Sequence, residues 1–330
     1  MDQLRIGVLG TARIVPMALL SPAQQVPEAK IVTVGSREPR RAQEFARKHT
    51  IPRTASSYDA VLTDPEVDAV YIPLPNGLHH RWTLKALQAG KHVLCEKPFA
   101  ANADEAEEMA RAAEQSGKVV MEAFHYRYHP LAARMKEIVT SGMLGKIRHV
   151  EAWVCVPFLL PGDIRYRYEL AGGATIDAGS YAIHILRLLA GDDLEVVYAE
   201  PHVTSPQIDR WMRADFLGSD DLTARMTCSL FSVDILRIEV HVLGEQGEMT
   251  VINPLQPQFY HRLVLNIGGK KQVEHVSRVP PYVYQLRAFT SAILYGTPVL
   301  TPPVDSLINM RLIDEVYERA GLLRRGLEKI

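Results

Sequence analysis

The sequence has few cysteines, and they are far apart. Cys95, Cys155 and Cys228 are the three thiols in a chain of 330 residues. This spacing argues against a disulfide framework and against a cysteine metal site, since both need cysteines at close, paired positions. The twelve histidines are also scattered, and the adjacent pair at 79 and 80 lacks metal-ligand spacing. We therefore expect free thiols, a reducing compartment and no bound metal.

The sequence also lacks an excess of charge and a long apolar run. Thirty-seven basic and 38 acidic side chains leave a net charge of -1, which gives no general attraction to nucleic acid or to anionic membranes. No run approaches the roughly 18 apolar residues that a membrane helix needs. The start, "MDQLRIGVLG", carries an acid at position 2 and no export pattern. We expect a cytoplasmic protein without nucleic-acid or membrane partners.

Short apolar runs alternate with helical stretches over the first third of the chain. With 47% hydrophobic and 23% charged residues the chain has the composition of a folded globular protein, and its length suits two domains. The alternation is typical of a doubly wound parallel sheet built from βαβ units. The five predicted strands are "RIGVLG", "AKIVTVGS", "DAVYIPL", "KHVLCEK" and "KVVMEA".

After residue 145 longer strands follow one another, broken by one helix around residues 177 to 190. The predicted strands are "KIRHVEAWVCV", "DLTARMTCSLFS", "LRIEVHVLG", "GEMTVINP" and "YHRLVLNIGG". Runs of strands after βα units predict a second α/β domain with a large open, mainly antiparallel sheet. In "DLTARMTCSL" apolar and polar residues alternate, so one sheet face is buried and the other is a candidate subunit contact. Two helices should close the chain, the last with Asp305 as its N-cap. We predict a dinucleotide-binding domain over 1–122 and a domain for substrate binding and oligomerisation over 123–330, in a homodimer or homotetramer.

The first strand runs into Gly10-Thr11-Ala12-Arg13-Ile14, where a glycine-rich dinucleotide turn would lie. Such a turn lets the backbone approach a pyrophosphate, and Gly10 meets that need. Ala12 and Val15 stand where glycines are usual, so an ordinary βα turn explains the motif equally well on its own. Its place after a strand at the start of a parallel sheet favours the cofactor interpretation.

The residues after the second strand are expected to bind the adenosine ribose and so to discriminate NAD from NADP. An NAD site usually has an acid there, whereas a 2′-phosphate is bound by arginine and small donors. Ser36, Arg37 and Arg41 therefore favour NADP. The alternative is a solvated basic helix face in "REPRRAQEFARKH", which we prefer for Arg40, Arg47 and Lys48.

Two further strand ends reach the carboxyl edge of the sheet, where open α/β folds bind ligands. "LPNGLHH" offers Leu74, Asn76 and His79, although Asn76 is equally explained as a helix N-cap and His79 as a packing residue. "VLCEKP" ends the fourth strand with Glu96 and Lys97. An isolated Glu-Lys pair is more often a solvated ion pair of little consequence.

A partner for Lys97 is offered by "AGGATIDAGSYAIHILRLLAG". Gly172 and Gly173 predict a flexible approach, and Asp177, Tyr181 and His184 would share one face of the following helix. The alternative is that Asp177 caps the helix, Tyr181 packs and His184 is a core histidine, which we favour for His184 alone.

Taken together, these motifs resemble the glucose-fructose oxidoreductase, inositol dehydrogenase and MocA family. The resemblance runs over nearly the whole chain, through the Gly7 to Ile14 turn, "PNGLH", "GKHVLCEKP", "MEAFHYRYHP" and "GGATIDAGSY". It implies a Rossmann domain followed by an α/β domain whose open sheet commonly forms dimer contacts. It also implies that Lys97 bonds the reacting oxygen and that Asp177 and Tyr181 flank the substrate.

With tyrosine at position 181, the chain resembles the branch of the family that contains dihydrodiol dehydrogenases, NADP-dependent xylose dehydrogenases and nucleotide-sugar 3-ketoreductases. By position in the family segments, Tyr126 and Arg165 are further substrate residues. The predicted cofactor set is Gly10, Thr11, Ala12, Arg13, Ile14, Ser36, Arg37, Arg41, Leu74, Asn76, His79, Glu96 and Lys97.

We therefore expect an NADP(H)-dependent oxidoreductase acting on a CH–OH group of a sugar, a sugar derivative or a related diol. Oxidation of an alcohol needs an acid/base group beside the hydroxyl. Tyr181 fits this role with help from Lys97, because a nearby ammonium favours the ionised form of a phenol. Two alternatives remain: a glycosidase with a tightly bound, recycled dinucleotide, and a non-enzymatic NADP sensor.

Overall fold

The computed structural model describes residues 3–158 and 162–326. Its strands, in chain order, are β1 (Leu4–Leu9), β2 (Ala29–Gly35), β3 (Arg53–Ala55), β4 (Ala69–Ile72), β5 (His92–Cys95), β6 (Val120–Glu122), β7 (Ile147–Cys155), β8 (Glu195–Ser205), β9 (Ile208–Leu217), β10 (Thr223–Ser229), β11 (Arg237–Gly244), β12 (Gly247–Ile252), β13 (Arg262–Ile267) and β14 (Lys270–Glu274).

The α-helices are α1 (Ser21–Ala23), α2 (Pro39–His49), α3 (Tyr58–Leu62), α4 (His79–Gln88), α5 (Ala103–Ser116), α6 (Pro130–Thr140), α7 (Ser180–Ala190), α8 (Pro281–Tyr295) and α9 (Pro303–Arg319). Two π-helices, Pro16–Leu20 and Thr175–Gly179, directly precede α1 and α7. Among the described helices, none combines the length and apolar character that a membrane crossing requires.

The chain folds into two compact units that are each discontinuous in sequence. Unit 1 contains the described parts of Met1–Ala100, Asp104–Tyr128 and Tyr282–Leu307, and unit 2 those of Ala101–Ala103, His129–Pro281 and Ile308–Ile330. Unit 1 therefore includes most of α8 in addition to the N-terminal segment. A functional boundary at residue 122 stays a prediction.

Unit 1 is built on a six-stranded sheet in the order β3-β2-β1-β4-β5-β6, with all neighbours parallel. The central strands are buried throughout, as in β4, because helices cover both faces of such a sheet. The strand order reverses between β1 and β4, and in a doubly wound fold the ligand crevice lies there, at the carboxyl ends. The predicted parallel sheet is confirmed.

Unit 2 is built on an eight-stranded sheet in the order β14-β13-β12-β11-β7-β10-β9-β8. Every pair is antiparallel except β7 with β10. On β10, Ala224, Met226 and Cys228 are buried while Arg225 is half-buried on the other face. The large, mainly antiparallel sheet is therefore confirmed, and α7 packs against β7 and β10.

Local details differ from the sequence-based expectations. Strands β3, β8, β9 and β14 were not expected. Asp305 is not an N-cap, because α9 begins at Pro303 and places Asp305 inside its first turn. An acid there still interacts favourably with the positive end of the helix.

Candidate active site

The turn after β1 is formed around a glycine that no other residue could replace without strain. Gly10 has φ +107°, and a Cβ on it would lie 3.1 Å from Leu74 Cδ2. Its N–H donates to Gly35 O at 2.8 Å, which ties the end of β1 to the end of β2. Val15, where a further glycine is usual, is fully buried, and the π-helix Pro16–Leu20 follows it. The turn therefore needs one glycine for its conformation.

A cavity of about 130 Å³ opens beside this turn. Its walls come from the ends of β1, β2 and β4, which is the ligand edge of the sheet. It brings together seven residues of the predicted cofactor set: Gly10, Thr11, Ala12, Ser36, Arg37, Arg41 and Leu74. Glu38, Tyr58, Pro73 and Pro75 also line it and were not predicted.

The basic end of this cavity is organised by polar contacts. Ser36 Oγ accepts from the Glu38 N–H at 3.3 Å, and Arg41 lies 3.5 Å from the Glu38 carboxylate. Burial raises the pKa of Tyr58, although the nearby Arg37 guanidinium, which bonds its hydroxyl, opposes the rise. The Tyr58 hydroxyl is therefore neutral, and this end of the cavity carries the guanidinium groups of Arg37 and Arg41 against the exposed carboxylate of Glu38.

Arg13 and Ile14, also predicted cofactor residues, lie in the same turn but outside this cavity. Arg13 is exposed and Ile14 is half-buried. Asn76 begins a short 3-10 turn, Asn76–Leu78, and the N-cap position of α4 is held by Leu78. The interpretation of Asn76 as the cap of α4 is therefore wrong, and its role toward a cofactor stays a prediction.

His79 lies beneath the carboxyl edge of the sheet, with 0% of its surface exposed. Its Nδ1 is 2.7 Å from Pro98 O and its Nε2 is 2.8 Å from Leu74 O. Two carbonyl oxygens would favour an imidazolium, but burial is the larger effect and, with the charge of Lys97, lowers the pKa of His79 to about 4. The ring therefore connects the loops after β4 and β5 while remaining neutral at pH 7.

Glu96 and Lys97 directly follow β5. Glu96 N–H donates to Ile72 O at 3.1 Å, and the buried Tyr71 hydroxyl donates to Glu96 Oε1 at 2.6 Å. The Lys97–Pro98 peptide is cis, and Lys97 is half-buried. These contacts fix the backbone that carries Lys97 at the ligand edge of unit 1. Tyr126, a predicted substrate residue in the same unit, is fully buried with its ring edge-on to Phe124.

In unit 2, Arg165 is held between two carboxylates. Its Nε donates to Asp177 Oδ2 at 2.7 Å and its Nη1 to Asp163 Oδ1 at 3.1 Å, and its guanidinium lies 3.9 Å from the centre of the Phe158 ring. Burial opposes the charge of Arg165, but Asp177 and then Asp163 outweigh it and raise its pKa. The predicted substrate residues Arg165 and Asp177 are therefore in direct contact, and Asp163 is an unpredicted third member.

The segment with Asp177 and Tyr181 is not one regular α-helix. Asp177 lies in the π-helix Thr175–Gly179, and Tyr181 is the second residue of α7. The predicted common face of Asp177, Tyr181 and His184 assumed one regular α-helix, and that assumption is wrong at Asp177. Asp177 and Tyr181 are 7% and 9% exposed. His184 is 3% exposed, so the interpretation of His184 as a core histidine is confirmed.

Comparison with known proteins identifies the family. Residues 4–124 match the GFO/IDH/MocA oxidoreductase family with an NAD-binding Rossmann fold, and residues 132–250 match the GFO/IDH/MocA C-terminal domain. The chain belongs to this family. The family resemblance seen in the sequence is thereby confirmed, and the protein is a member of a family of oxidoreductases.

Three relatives illustrate the branch. The chain is 35% identical to D-xylose 1-dehydrogenase (NADP(+)) 2 of Haloferax volcanii over 95% of this chain and 96% of the relative. It is 33% identical to a trans-1,2-dihydrobenzene-1,2-diol dehydrogenase of Danio rerio over 70% and 67% of the two chains. A crystal structure of a 3-ketoreductase from Actinomadura kijaniata, in complex with NADP and TDP-benzene, superposes with a TM-score of 0.89 at 29% identity, covering 96% of this chain and 98% of that one.

Proposed function

We propose that the chain is an NADP(H)-dependent oxidoreductase that transfers hydride between the nicotinamide and a hydroxyl or carbonyl carbon of a sugar, a sugar derivative or a related diol. The observation that carries this proposal is the cavity after β1 and β2, where Gly10 meets Ser36, Arg37 and Arg41. The xylose dehydrogenase, the dihydrodiol dehydrogenase and the 3-ketoreductase among its relatives agree with it.

The preference for NADP over NAD is assigned to Ser36, Arg37 and Arg41. A 2′-phosphate needs positive charge and hydrogen-bond donors, and an arginine fork supplies both. Glu38 would disfavour that phosphate, but Arg41 lies 3.5 Å from its carboxylate and offsets its charge. Arg37 bonds the Tyr58 hydroxyl, which fixes its position, and it is therefore the main phosphate ligand in this proposal.

When bound, the nicotinamide ring supplies or accepts the hydride. The chain must then move the hydroxyl proton of the substrate, and we assign that step to the Tyr181 phenol. Lys97 donates a hydrogen bond to the same substrate oxygen and stabilises negative charge that develops on it. In reduction the proton passes from the Tyr181 hydroxyl to the carbonyl oxygen, and in oxidation it returns.

Arg165 and Asp177 are assigned to substrate orientation. A guanidinium fixed by Asp177 and Asp163 keeps further N–H groups in a set direction. A carboxylate can accept from a sugar hydroxyl with the oxygen or lone pair that the arginine leaves unused. Such paired donors and acceptors suit a polyhydroxylated substrate and hold its carbinol carbon in line for hydride transfer.

The test is NADPH oxidation and NADP reduction, followed by absorbance, with a panel of aldoses, ketoses, dihydrodiols and nucleotide keto-sugars. We expect turnover with at least one member, and loss of about 100-fold or more in kcat for Tyr181→Phe and for Lys97→Ala. Tyr260→Phe, at an exposed tyrosine, is the matched control and should retain full activity.

Other outcomes would contradict the proposal in distinguishable ways. Hydrolysis of a glycoside without net change in NADPH would instead support the glycosidase with a recycled dinucleotide. Tight NADPH binding with no turnover of any panel member, together with a Lys97→Ala variant that binds NADPH unchanged, would support the sensor.

We also propose that the open face of the unit 2 sheet is the contact of a homodimer or homotetramer. This face carries Trp153, with Arg237 stacked 3.8 Å from its ring centre, and the ion pair of Arg225 with Asp215 at 2.5 Å. Sedimentation should give a dimer or tetramer that Trp153→Glu dissociates, whereas Phe259→Ser, at an exposed loop position, should leave it intact. A monomeric parent protein would refute this. The cytoplasmic location stays a prediction.

A further inference from the structure

A fully buried ion pair lies against the Gly172–Gly173 turn of unit 2. Arg325 Nη2 is 3.0 Å from Asp209 Oδ1, and both side chains are 0% exposed. Asp209 is the second residue of β9, whereas Arg325 lies in the segment that follows α9. Removing two charges from water is costly, and such a pair is favourable only where further hydrogen bonds satisfy the remaining donors and acceptors.

Those further bonds go to the backbone of the turn that precedes Asp177. Asp209 Oδ2 accepts from Thr175 N–H and from Thr175 Oγ1, both at 2.6 Å. Arg325 Nε donates to Gly172 O at 2.7 Å. The Tyr317 hydroxyl accepts from Ile176 N–H at 3.1 Å and donates to Asp209 Oδ1 at 3.2 Å. The carboxylate, the guanidinium and the phenol therefore bind both ends of the turn.

The turn is packed as closely as its backbone allows. Gly173 has φ +135°, and a Cβ on it would overlap Asp209 Oδ1 and lie 2.7 Å from the Tyr317 hydroxyl and 2.9 Å from Arg325 Nη2. On its other side, Gly173 N–H donates to Arg165 O at 2.8 Å, and a Cβ on Gly172 would lie 2.5 Å from that oxygen. The double glycine is thus a site of close packing, not a flexible approach.

The same turn determines where two candidate substrate residues lie. Asp177 N–H donates to Gly173 O at 3.2 Å, and the Asp177 carboxylate binds Arg165 Nε at 2.7 Å. The main chain of Arg165 is bonded to Gly173, and its side chain is bonded to Asp177. A shift of residues 172–176 would therefore displace both charged groups together, and with them the start of the helix that carries Tyr181.

We propose that Asp209, Tyr317 and Arg325 form a positioning cluster that sets the geometry of Arg165, Asp177 and Tyr181 for the reaction without touching the substrate. The segment 322–326 then belongs to the positioning cluster, because it supplies the guanidinium. Asn102 Nδ2 fastens this segment by donating to Arg325 O at 2.8 Å, and Arg325 Nη1 donates to Leu323 O at 2.6 Å. The inference rests on the proposed function.

The first test is Arg325→Lys, which keeps the charge but cannot make three directed contacts from one planar group. Hydrogen exchange read by mass spectrometry on peptides covering residues 172–178 should accelerate by about tenfold or more, because Thr175 and Ile176 lose ordered acceptors. The kcat should fall by about 10- to 100-fold. The Kd for NADPH should stay within about twofold, since the cavity described for it lies in unit 1.

Arg134→Lys is the matched control. Arg134 also binds a carboxylate with two nitrogens, Nε and Nη2 to Glu274 at 2.8 and 2.7 Å, between α6 and β14 of the same unit. It should lower thermal stability without changing kcat or the exchange of residues 172–178. Should Arg325→Lys not fold, Tyr317→Phe removes the hydroxyl alone and is expected to give the same pattern at smaller amplitude.

Two results would overturn the positioning role. One is faster exchange over residues 172–178 in Arg325→Lys or Tyr317→Phe with a kcat equal to that of the Arg134→Lys control. The other is unchanged exchange in the same variants. The exchange measurement needs no turnover. A parent protein that acts on no member of the panel would therefore refute the proposed function, while hydrogen exchange would still show whether the cluster orders residues 172–178.

Discussion

Gly173→Ala should destabilise unit 2 severely, because two separate costs add at this position. The first is backbone strain: a non-glycine residue at φ +135° costs about 1–3 kcal/mol. The second is displacement of the Asp209–Arg325 pair, since the new methyl group would overlap the Asp209 carboxylate. Breaking a buried ion pair costs about 3–5 kcal/mol.

The sum is about 4–8 kcal/mol, compared with a total stability of about 5–15 kcal/mol for a typical domain. We therefore expect a unit 2 that is partly unfolded without denaturant or unfolds at very low urea. The control is Gly191→Ala, because Gly191 has φ +96° but a Cβ on it would meet nothing within 4 Å. That variant incurs the strain alone, about 1–3 kcal/mol.

Urea unfolding followed by tryptophan fluorescence measures the difference. Trp153 and Trp211 lie in unit 2 and Trp82 in unit 1, so a Trp82→Phe background makes the signal report on unit 2. If the two glycine variants differ by less than about 1 kcal/mol in the free energy of unfolding, the cluster has room to adjust and the packing argument fails.

Three smaller predictions follow from other contacts. Arg37→Asp should raise the Kd for NADPH by about 10- to 100-fold and leave that for NADH nearly unchanged, by fluorescence titration; equal affinities in the parent would refute the phosphate assignment. Arg165→Lys should raise KM more than it lowers kcat, because a lysine cannot bind both Asp177 and a substrate hydroxyl with the same fixed geometry; the reverse split in steady-state kinetics would contradict it. Burial lowers the pKa of His129 from an ordinary 6.5 to about 4, and its Nδ1 accepts from Leu131 N–H. The folded protein should therefore lose about 3 kcal/mol of stability as the pH falls from 6.5 toward 4, and His129→Asn should remove that loss in acid titrations. An equal loss of stability in acid for the parent and the variant would refute this prediction.

The strands that sequence patterns missed are mostly those at sheet edges. β3 is one edge of the unit 1 sheet, and β8 and β14 are the two edges of the unit 2 sheet. An edge strand has one neighbour and buries fewer side chains, so its apolar pattern is weak: four of the five residues of β14 are exposed. By contrast, β9 buries Met212, Ala214 and Phe216 in strict alternation, and that pattern was there to be recognised.

Whether a residue of the candidate site could be predicted depends on how far along the chain its partners lie. The candidate residues at the ends of β1, β2 and β5, Gly10, Arg37 and Lys97, could be predicted because each closely follows a recognisable strand in the sequence. The partners of Asp209 were not, because Thr175 lies 34 and Arg325 116 residues away along the chain. No local pattern marks an acid in a strand as one half of a buried pair, and only the tertiary fold brings the other half to it.

The two departures from regular helical geometry occur at positions of functional interest. Within the described residues, the π-helices are Pro16–Leu20, which follows the Gly10 turn, and Thr175–Gly179, which carries Asp177. A π-helical turn bonds i to i+5, is rare in proteins and frequently lies at a functional site. In both places the chain passes directly from the wider turn into a regular helix. Sequence rules that assume 3.6 residues per turn therefore do not describe these two helix starts, one of which follows the Gly10 turn and the other of which carries Asp177, the partner of Arg165.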